Sequence, residues 1–194
     1  MNPRWLSFVA IMLSAMPAAA QEHARRGDTI EYRFEVFGSM GWGRRGADEG
    51  SLGGGPLLAA GFGFRPLRRV GFEVEASFAS HQRDFASGVT FEGEAFSVAG
   101  NVLYHFSESR TQWFVLGGLG WVSEDHRSIF RSRLPDDDTS FRYSDDYAVW
   151  GVGFGLKTLL TGQLLLRPEF RYTGGGPFGV SGLLRLTVGL GYVW

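Results

Sequence analysis

Val70-Gly71-Phe72-Glu73-Val74-Glu75-Ala76-Ser77-Phe78 alternates without a break. Val70, Phe72, Val74, Ala76 and Phe78 fall on one side of an extended chain and Gly71, Glu73, Glu75 and Ser77 on the other, because successive strand side chains point to opposite faces. The apolar side is bulky, whereas the other side combines carboxylates with very small residues. Small residues beside long charged ones make room for those chains inside a narrow interior, so the polar face reads as the inner one.

The same period recurs in both directions along the chain. Upstream, Ile30, Tyr32, Phe34, Val36, Met40 and Trp42 oppose Glu31, Arg33 and Glu35, and Leu58, Ala60, Phe62 and Phe64 oppose Ala59, Gly61 and Gly63. Downstream, Phe96, Val98, Val102, Tyr104 and Phe106 face away from Ser97, Asn101 and His105, and Trp113, Val115, Leu119 and Trp121 face away from Gly118 and Gly120. Ala148, Trp150, Val152, Phe154 and Leu156 then alternate with Gly151, Gly153, Gly155 and Lys157. Leu164, Leu166, Pro168, Phe170 and Tyr172 alternate with Leu165, Arg167, Glu169 and Arg171, and Leu184 to Trp194 repeats the plan against Arg185, Thr187, Gly189 and Gly191. The pattern predicts about eight strands of about ten residues, the length a tilted strand needs to cross a bilayer.

Connections near 65–69, 107–111 and 158–162 are short, and those near 43–55, 79–93, 123–145 and 173–181 are longer. Strict alternation of short and long predicts an all-β fold: an eight-stranded antiparallel transmembrane up-and-down β-barrel with long loops outside and both termini periplasmic. Residues 1–20 read as a secretory signal. Arg4 gives a positive start, Trp5 to Met16 an apolar run, and Ala18-Ala19-Ala20 small residues for cleavage, which leaves 21–194 as the barrel domain.

Composition agrees with this division. With no cysteine among 194 residues the chain is no disulfide scaffold, thiol enzyme or Cys-ligated metalloprotein. A net charge of −1 gives no basic balance for a nucleic-acid partner. The 29 glycines and 15 % aromatics suit an inner face of small residues and an outer face of rings.

On the inner face, Glu31, Arg33, Glu35, Glu73, Glu75, Arg167, Glu169, Arg171 and Arg185 form a predicted luminal ion-pair network, since unpaired charge inside a narrow bore is costly. Glu73 and Glu75 also form a carboxylate pair capable of acid–base work, but the arginines on the same face favour a structural role. On the outer face, Trp42, Trp121, Trp150 and Tyr172 form one predicted girdle, and Tyr104, Phe106, Trp113, Tyr192 and Trp194 the other.

An exported chain of alternating strands ending in Leu184-Arg185-Leu186-Thr187-Val188-Gly189-Leu190-Gly191-Tyr192-Val193-Trp194 resembles the OmpA/OmpX-like small outer-membrane β-barrel superfamily. The resemblance implies an integral outer-membrane protein; the expected protein has no cofactor or enzymatic activity and is a monomer surrounded by outer-membrane lipid and lipopolysaccharide. It also implies that Tyr192 and Trp194 are the signal read by the barrel-assembly machinery. The expected role is structural or surface interaction with a plugged polar lumen. The alternatives are a lipid A acyl-modifying enzyme of the same architecture, a narrow pore, or a soluble carrier of an apolar ligand.

The lipid A deacylase family carries a His-x-Ser pair late in its barrel, where this chain reads Phe170-Arg171-Tyr172-Thr173-Gly174 with neither residue. A His-x-Ser at His126-Arg127-Ser128, beside Glu124 and Asp125, falls in the longest predicted loop, where a catalytic group lacks a rigid support. Asp136-Asp137-Asp138 and Asp145-Asp146 lack calcium-loop spacing and read as a solvated acidic loop flanked by Arg131, Arg133 and Arg142. Gly53-Gly54-Gly55 and Gly174-Gly175-Gly176 have no following Lys-Ser/Thr and read as loop hinges. His105 reads as a luminal or rim residue.

Overall fold

The computed structural model describes residues 32–45, 54–84, 89–130, 139–175 and 182–194. It is a closed barrel of eight strands: β1 (Phe34–Arg45), β2 (Gly54–Phe64), β3 (Val70–Asp84), β4 (Val89–His105), β5 (Thr111–Phe130), β6 (Thr139–Leu159), β7 (Leu164–Gly175) and β8 (Leu183–Val193). Each strand pairs antiparallel with the next, and β1 pairs with β8, so no lateral edge is left around the bore. The leader at 1–20 lies outside the described residues.

Alternation sets the faces. On β3, Glu73, Glu75 and Ser77 are buried while Phe72, Val74 and Phe78 are exposed. On β8, Arg185 and Thr187 are buried while Leu184, Leu186, Val188 and Leu190 are exposed. Large apolar side chains therefore cover the outside of the whole barrel, which only a lipid environment satisfies. Tyr32 departs from the expected outer face: it precedes β1, where the strand period does not yet hold, and turns inward to lie buried against Leu165 and Val193.

Strand length departs from expectation on one side. β5 and β6 contain 20 and 21 residues, so most of 123–145 is strand rather than loop, and β3 and β4 likewise take up much of 79–93. Seventeen-residue β4 and its neighbours continue pairing through Val89↔Phe130 and Phe130↔Thr139, far past the level at which β7 ends and β8 begins. The barrel thus carries a sheet extension on β3 to β6 at the end opposite the short turns. Gly54 and Gly55 lie within β2 and Gly174 and Gly175 within β7 rather than in loops; Gly53 and Gly176 lie outside the described residues. Gly175 has φ of +129°, a backbone that glycine alone adopts readily.

Pro168 interrupts one ladder. Pairing between β6 and β7 runs to Gly155↔Glu169 and resumes at Thr158↔Leu166. A proline has no N–H to give, so the ladder skips it on the β6 side. The gap lies beside Lys157 and Arg167, two of the buried cations.

Candidate functional site

The middle of the bore is filled by charge. Glu35 on β1, Glu73 and Glu75 on β3, Lys157 on β6, Arg167, Glu169 and Arg171 on β7, and Arg185 on β8 are all buried. β3 and β7 lie on opposite sides of the ring, yet Arg167 Nη1 donates to Glu73 Oε2 at 2.6 Å. A second crossing joins Arg171 Nη1 to Glu75 Oε1 at 3.2 Å. Glu169 accepts from Arg167 at 2.7 Å and Arg171 Nε at 2.8 Å, and lies 3.4 Å from Arg185 Nη2. Arg185 also donates to Glu75, and Lys157 to Glu35. Four carboxylates thus face four cations, and each charge has a partner of opposite sign, the condition on which buried charge is tolerated.

Register supplies the room. Glu73 pairs across the sheet with Gly63, Glu75 with Gly61, Glu169 with Gly155, Arg171 with Gly153 and Arg167 with Gly189. Each long side chain is therefore paired with a residue that has no side chain to compete for the bore. Gly61 and Gly155 do more: a Cβ there would come within 2.4 Å of Phe37 Cζ and 2.5 Å of Phe114 Cζ. Those two rings hold the Arg167 guanidinium, whose Cζ lies 4.1 Å from the Phe37 centroid and 5.1 Å from that of Phe114. The planar, weakly hydrated guanidinium suits such a slot.

Of the sequence-predicted network, Glu31 lies outside the described residues and Arg33 stands apart. Arg33 is exposed in the bend before β1, because the strand and its inward face begin only at Phe34. Lys157, Asn101 and Tyr32 were not in that set. Asn101 Nδ2 lies 3.4 Å from Glu73 Oε1, and the Tyr32 hydroxyl donates to Glu35 at 3.2 Å. The alternation along β6 already puts Lys157 on the inner face, with Gly151, Gly153 and Gly155.

Toward the short turns the lumen continues with His105, Gln112 and Arg65, all buried. Arg65 Nη1 donates to Gln112 Oε1 at 2.9 Å, and its other terminal nitrogen to the Arg68 carbonyl. Toward the extension lies a cavity of about 60 Å³ walled by Glu75, Ser77, Ser97, Glu124, Arg171 and Arg185 among others.

His126 is on strand β5, not in a loop, because β5 stays paired to Phe130. Its Nε2 lies 3.2 Å from Glu124 Oε2, its ring stacks on Tyr143 with centroids 4.8 Å apart, and His81 meets it edge-on at 5.8 Å. The backbone of Ser128 follows two residues on, in the same strand. Asp145 and Asp146 are on β6 and exposed, whereas Asp136, Asp137, Asp138, Arg131 and Arg133 lie outside the described residues. Among the described residues no group of three or more His, Asp or Glu is arranged to hold a metal.

The outer rings fall in two zones. Tyr104, Phe106 and Trp113 are exposed beside the short turns, with Tyr192 and Trp194 partly buried there. Trp42, Trp121 and Trp150 are exposed farther up, with Tyr172 5.5 Å from Trp150. From Phe34 to Trp42, Thr111 to Trp121, Leu159 to Trp150 and Leu164 to Tyr172 the strands climb about 20–25 Å at ~3.3 Å per residue and ~40° tilt, close to the usual height of a barrel's apolar band.

Comparison with known proteins matches this geometry. The family described as outer membrane protein beta-barrel domain matches residues 6–193. No curated protein matches. Among solved structures, Neisserial surface protein A superposes with a TM-score of 0.64 at 16 % identity, covering 83 % of this chain and 97 % of that one. Ail, the attachment invasion locus protein of Yersinia pestis, gives 0.64 at 11 %, covering 85 % and 100 %. OprG from Pseudomonas aeruginosa gives 0.59 at 14 %, covering 87 % and 98 %. At these identities the likeness is one of fold.

Proposed function

From the premise that the chain belongs to the outer membrane protein beta-barrel domain family, and so is a β-barrel of the bacterial outer membrane, we propose that it is a non-enzymatic, closed barrel whose part above the membrane serves surface interaction. The observation that carries this reading is the pair of crossings between β3 and β7, Arg167 to Glu73 and Arg171 to Glu75. Salt bridges that reach from wall to opposite wall occupy the bore at mid-height, where a porin has water.

The sheet extension supports the second half of the proposal. β5 and β6 run on past Trp121 and Trp150 as a paired ribbon with Phe141 and Tyr143 exposed. Long strands on one end and short turns on the other fit an extension outside the cell and termini in the periplasm. Residues 1–20 act as the export signal, Tyr192 and Trp194 as the signal to the barrel-assembly machinery, and the barrel works as a monomer.

Planar-bilayer recording tests the plug. The mature protein inserts without stepwise conductance, and replacing Arg167, Glu73, Arg171 and Glu75 together by serine yields small steps. Ohmic conductance from the unaltered barrel would reject the plugged lumen and favour the pore.

A further inference from the structure

The short-turn rim is a continuous ring. Arg65 N donates to the Arg33 carbonyl at 2.8 Å, His105 N to the Arg69 carbonyl at 2.7 Å, Val193 N to the Gln163 carbonyl at 2.9 Å, and Arg33 N to the Trp194 carbonyl at 3.1 Å. Arg110 adds a clasp between two turns, its Nε on the Leu159 carbonyl at 2.7 Å and its Nη2 on that of Leu160 at 2.8 Å. The described residues of this ring, 32–33, 65–69, 106–110, 160–163 and 194, carry five arginine side chains and one glutamate.

The glutamate, Glu108, is shared: it lies 3.7 Å from Arg68 and 3.8 Å from Arg69, whose side chains are 75 % and 55 % exposed. The guanidinium of Arg110 rests on neutral carbonyls, and Arg65, buried directly behind the turn, hydrogen-bonds to a neutral amide and a carbonyl. Among the described side chains of the rim, arginines therefore outnumber carboxylates. Among the described side chains the opposite end has the reverse balance, with Glu92, Glu94, Glu124, Asp125, Asp145 and Asp146 against Arg44, Arg127 and Arg142.

Apolar groups are interleaved with the arginines. Leu67, 63 % exposed, stands at the tip of the 65–69 turn between Arg65 and Arg68; Leu160 and Phe106 are exposed on the neighbouring turns and Trp113 at the start of β5. A leucine at a turn tip gains nothing from open water, but it fits a boundary where hydrocarbon ends and phosphates begin. Guanidinium groups bind phosphate oxygens in bidentate fashion, and basic groups at a membrane surface favour anionic lipid.

We propose that the short-turn rim, through Arg68, Arg69 and Arg110 around Leu67, is a binding surface for the headgroups of anionic phospholipids in the leaflet at that end of the barrel. The proposal rests on the membrane-spanning reading above. It makes the barrel two-sided in its lipid preference, basic toward the short turns and acidic toward the extension.

Trp113 is the reporter, since its carbonyl accepts from Phe106 N at the foot of the 106–110 turn. A variant whose other tryptophans are phenylalanine is placed in phosphatidylcholine nanodiscs containing a minor fraction of brominated phosphatidylglycerol or of brominated phosphatidylcholine. Brominated phosphatidylglycerol quenches several-fold more per mole, Arg68→Gln with Arg69→Gln removes the difference, and inorganic phosphate in the buffer leaves it unchanged. Equal quenching by the two lipids, selectivity that survives the double substitution, or loss of selectivity to inorganic phosphate overturns the proposal. No quenching by either lipid overturns instead the spanning reading on which it rests. Native mass spectrometry of the unaltered barrel gives a second readout: phosphatidylglycerol adducts outlast phosphatidylcholine adducts, and equal retention counts against the surface.

Discussion

Arg167 and Glu73 reach each other across the whole bore, Nη1 to Oε2 at 2.6 Å, from strands on opposite sides of the ring. Each is nearly free of solvent, so the pair exists only because the barrel is closed. Removing one partner leaves the buried cluster with an unbalanced charge, even though Arg167 keeps Glu169 and Glu73 keeps Arg171 at 3.6 Å. Glu73→Leu or Arg167→Met alone therefore costs about 3–5 kcal/mol of unfolding free energy. The double variant costs less than the sum of the two, read by urea titration of the barrel in lipid vesicles. Strict additivity would show that the two charges do not depend on each other.

Burial separates strong pairs from weak ones in this molecule. Glu169 takes three guanidiniums inside the bore, whereas Glu108 takes two at the exposed rim. Glu169→Gln costs several kcal/mol, about 3–5 by the same reasoning, and Glu108→Gln less than about 1 kcal/mol. Raising the salt concentration erases the second effect and leaves the first. The same unfolding titration, run at low and high salt, checks both.

Gly155 is the seat of the Phe114 ring, whose Cζ lies 2.5 Å from where a Cβ would stand; the Pro168 carbonyl oxygen lies 2.7 Å from it. Gly155→Ala forces the ring toward Arg167 and costs about 1–3 kcal/mol, the usual range for overpacking. Phe114→Leu in the same chain recovers part of that loss but not all, since the backbone contact remains. A double-mutant cycle measures the recovered part, and zero coupling would mean that the ring does not set the cost.

Because the chain lacks cysteine, single introduced thiols report orientation without background. Ser144 is exposed on the β6 extension and Ser109 on the short-turn rim. With the extension outside the cell, Ser144→Cys reacts with an impermeant maleimide on intact bacteria and Ser109→Cys reacts only after the outer membrane is opened. The reverse pattern would invert the proposed orientation.

The last residues give a test of assembly. Trp194 closes the ring of the rim through its carbonyl, and Tyr192 lies 6.0 Å from it, ring to ring. Tyr192→Ala with Trp194→Ala lowers the fraction of barrel that migrates as the compact form in unheated gels from whole cells, while refolding of the purified chain in detergent changes far less. An equal loss in both would make the aromatic pair a matter of stability and not of recognition.

The sequence alone determined the class of fold, because period 2 is a local property: alternation from Val70 to Phe78 or Leu184 to Trp194 states which residues share a face whatever the chain around them does. Short connections between such runs then leave an up-and-down order as the simple solution. Local pattern did not determine where strands stop. The polar stretches around Ser123 to Phe130 and Thr139 to Asp146 read as loop because they lack the apolar period, yet they stay paired as backbone because each strand offers the other a full ladder. Nor did it separate Arg33 from Arg167, since a face exists only once the strand has begun. Which carboxylate meets which guanidinium is set by stagger and closure, which carry Glu73 on β3 to Arg167 on β7 and place Lys157 beside Glu35. Tertiary structure decided the partners because a charge inside a barrel finds its counterpart across the bore, at a distance along the chain that no local window spans.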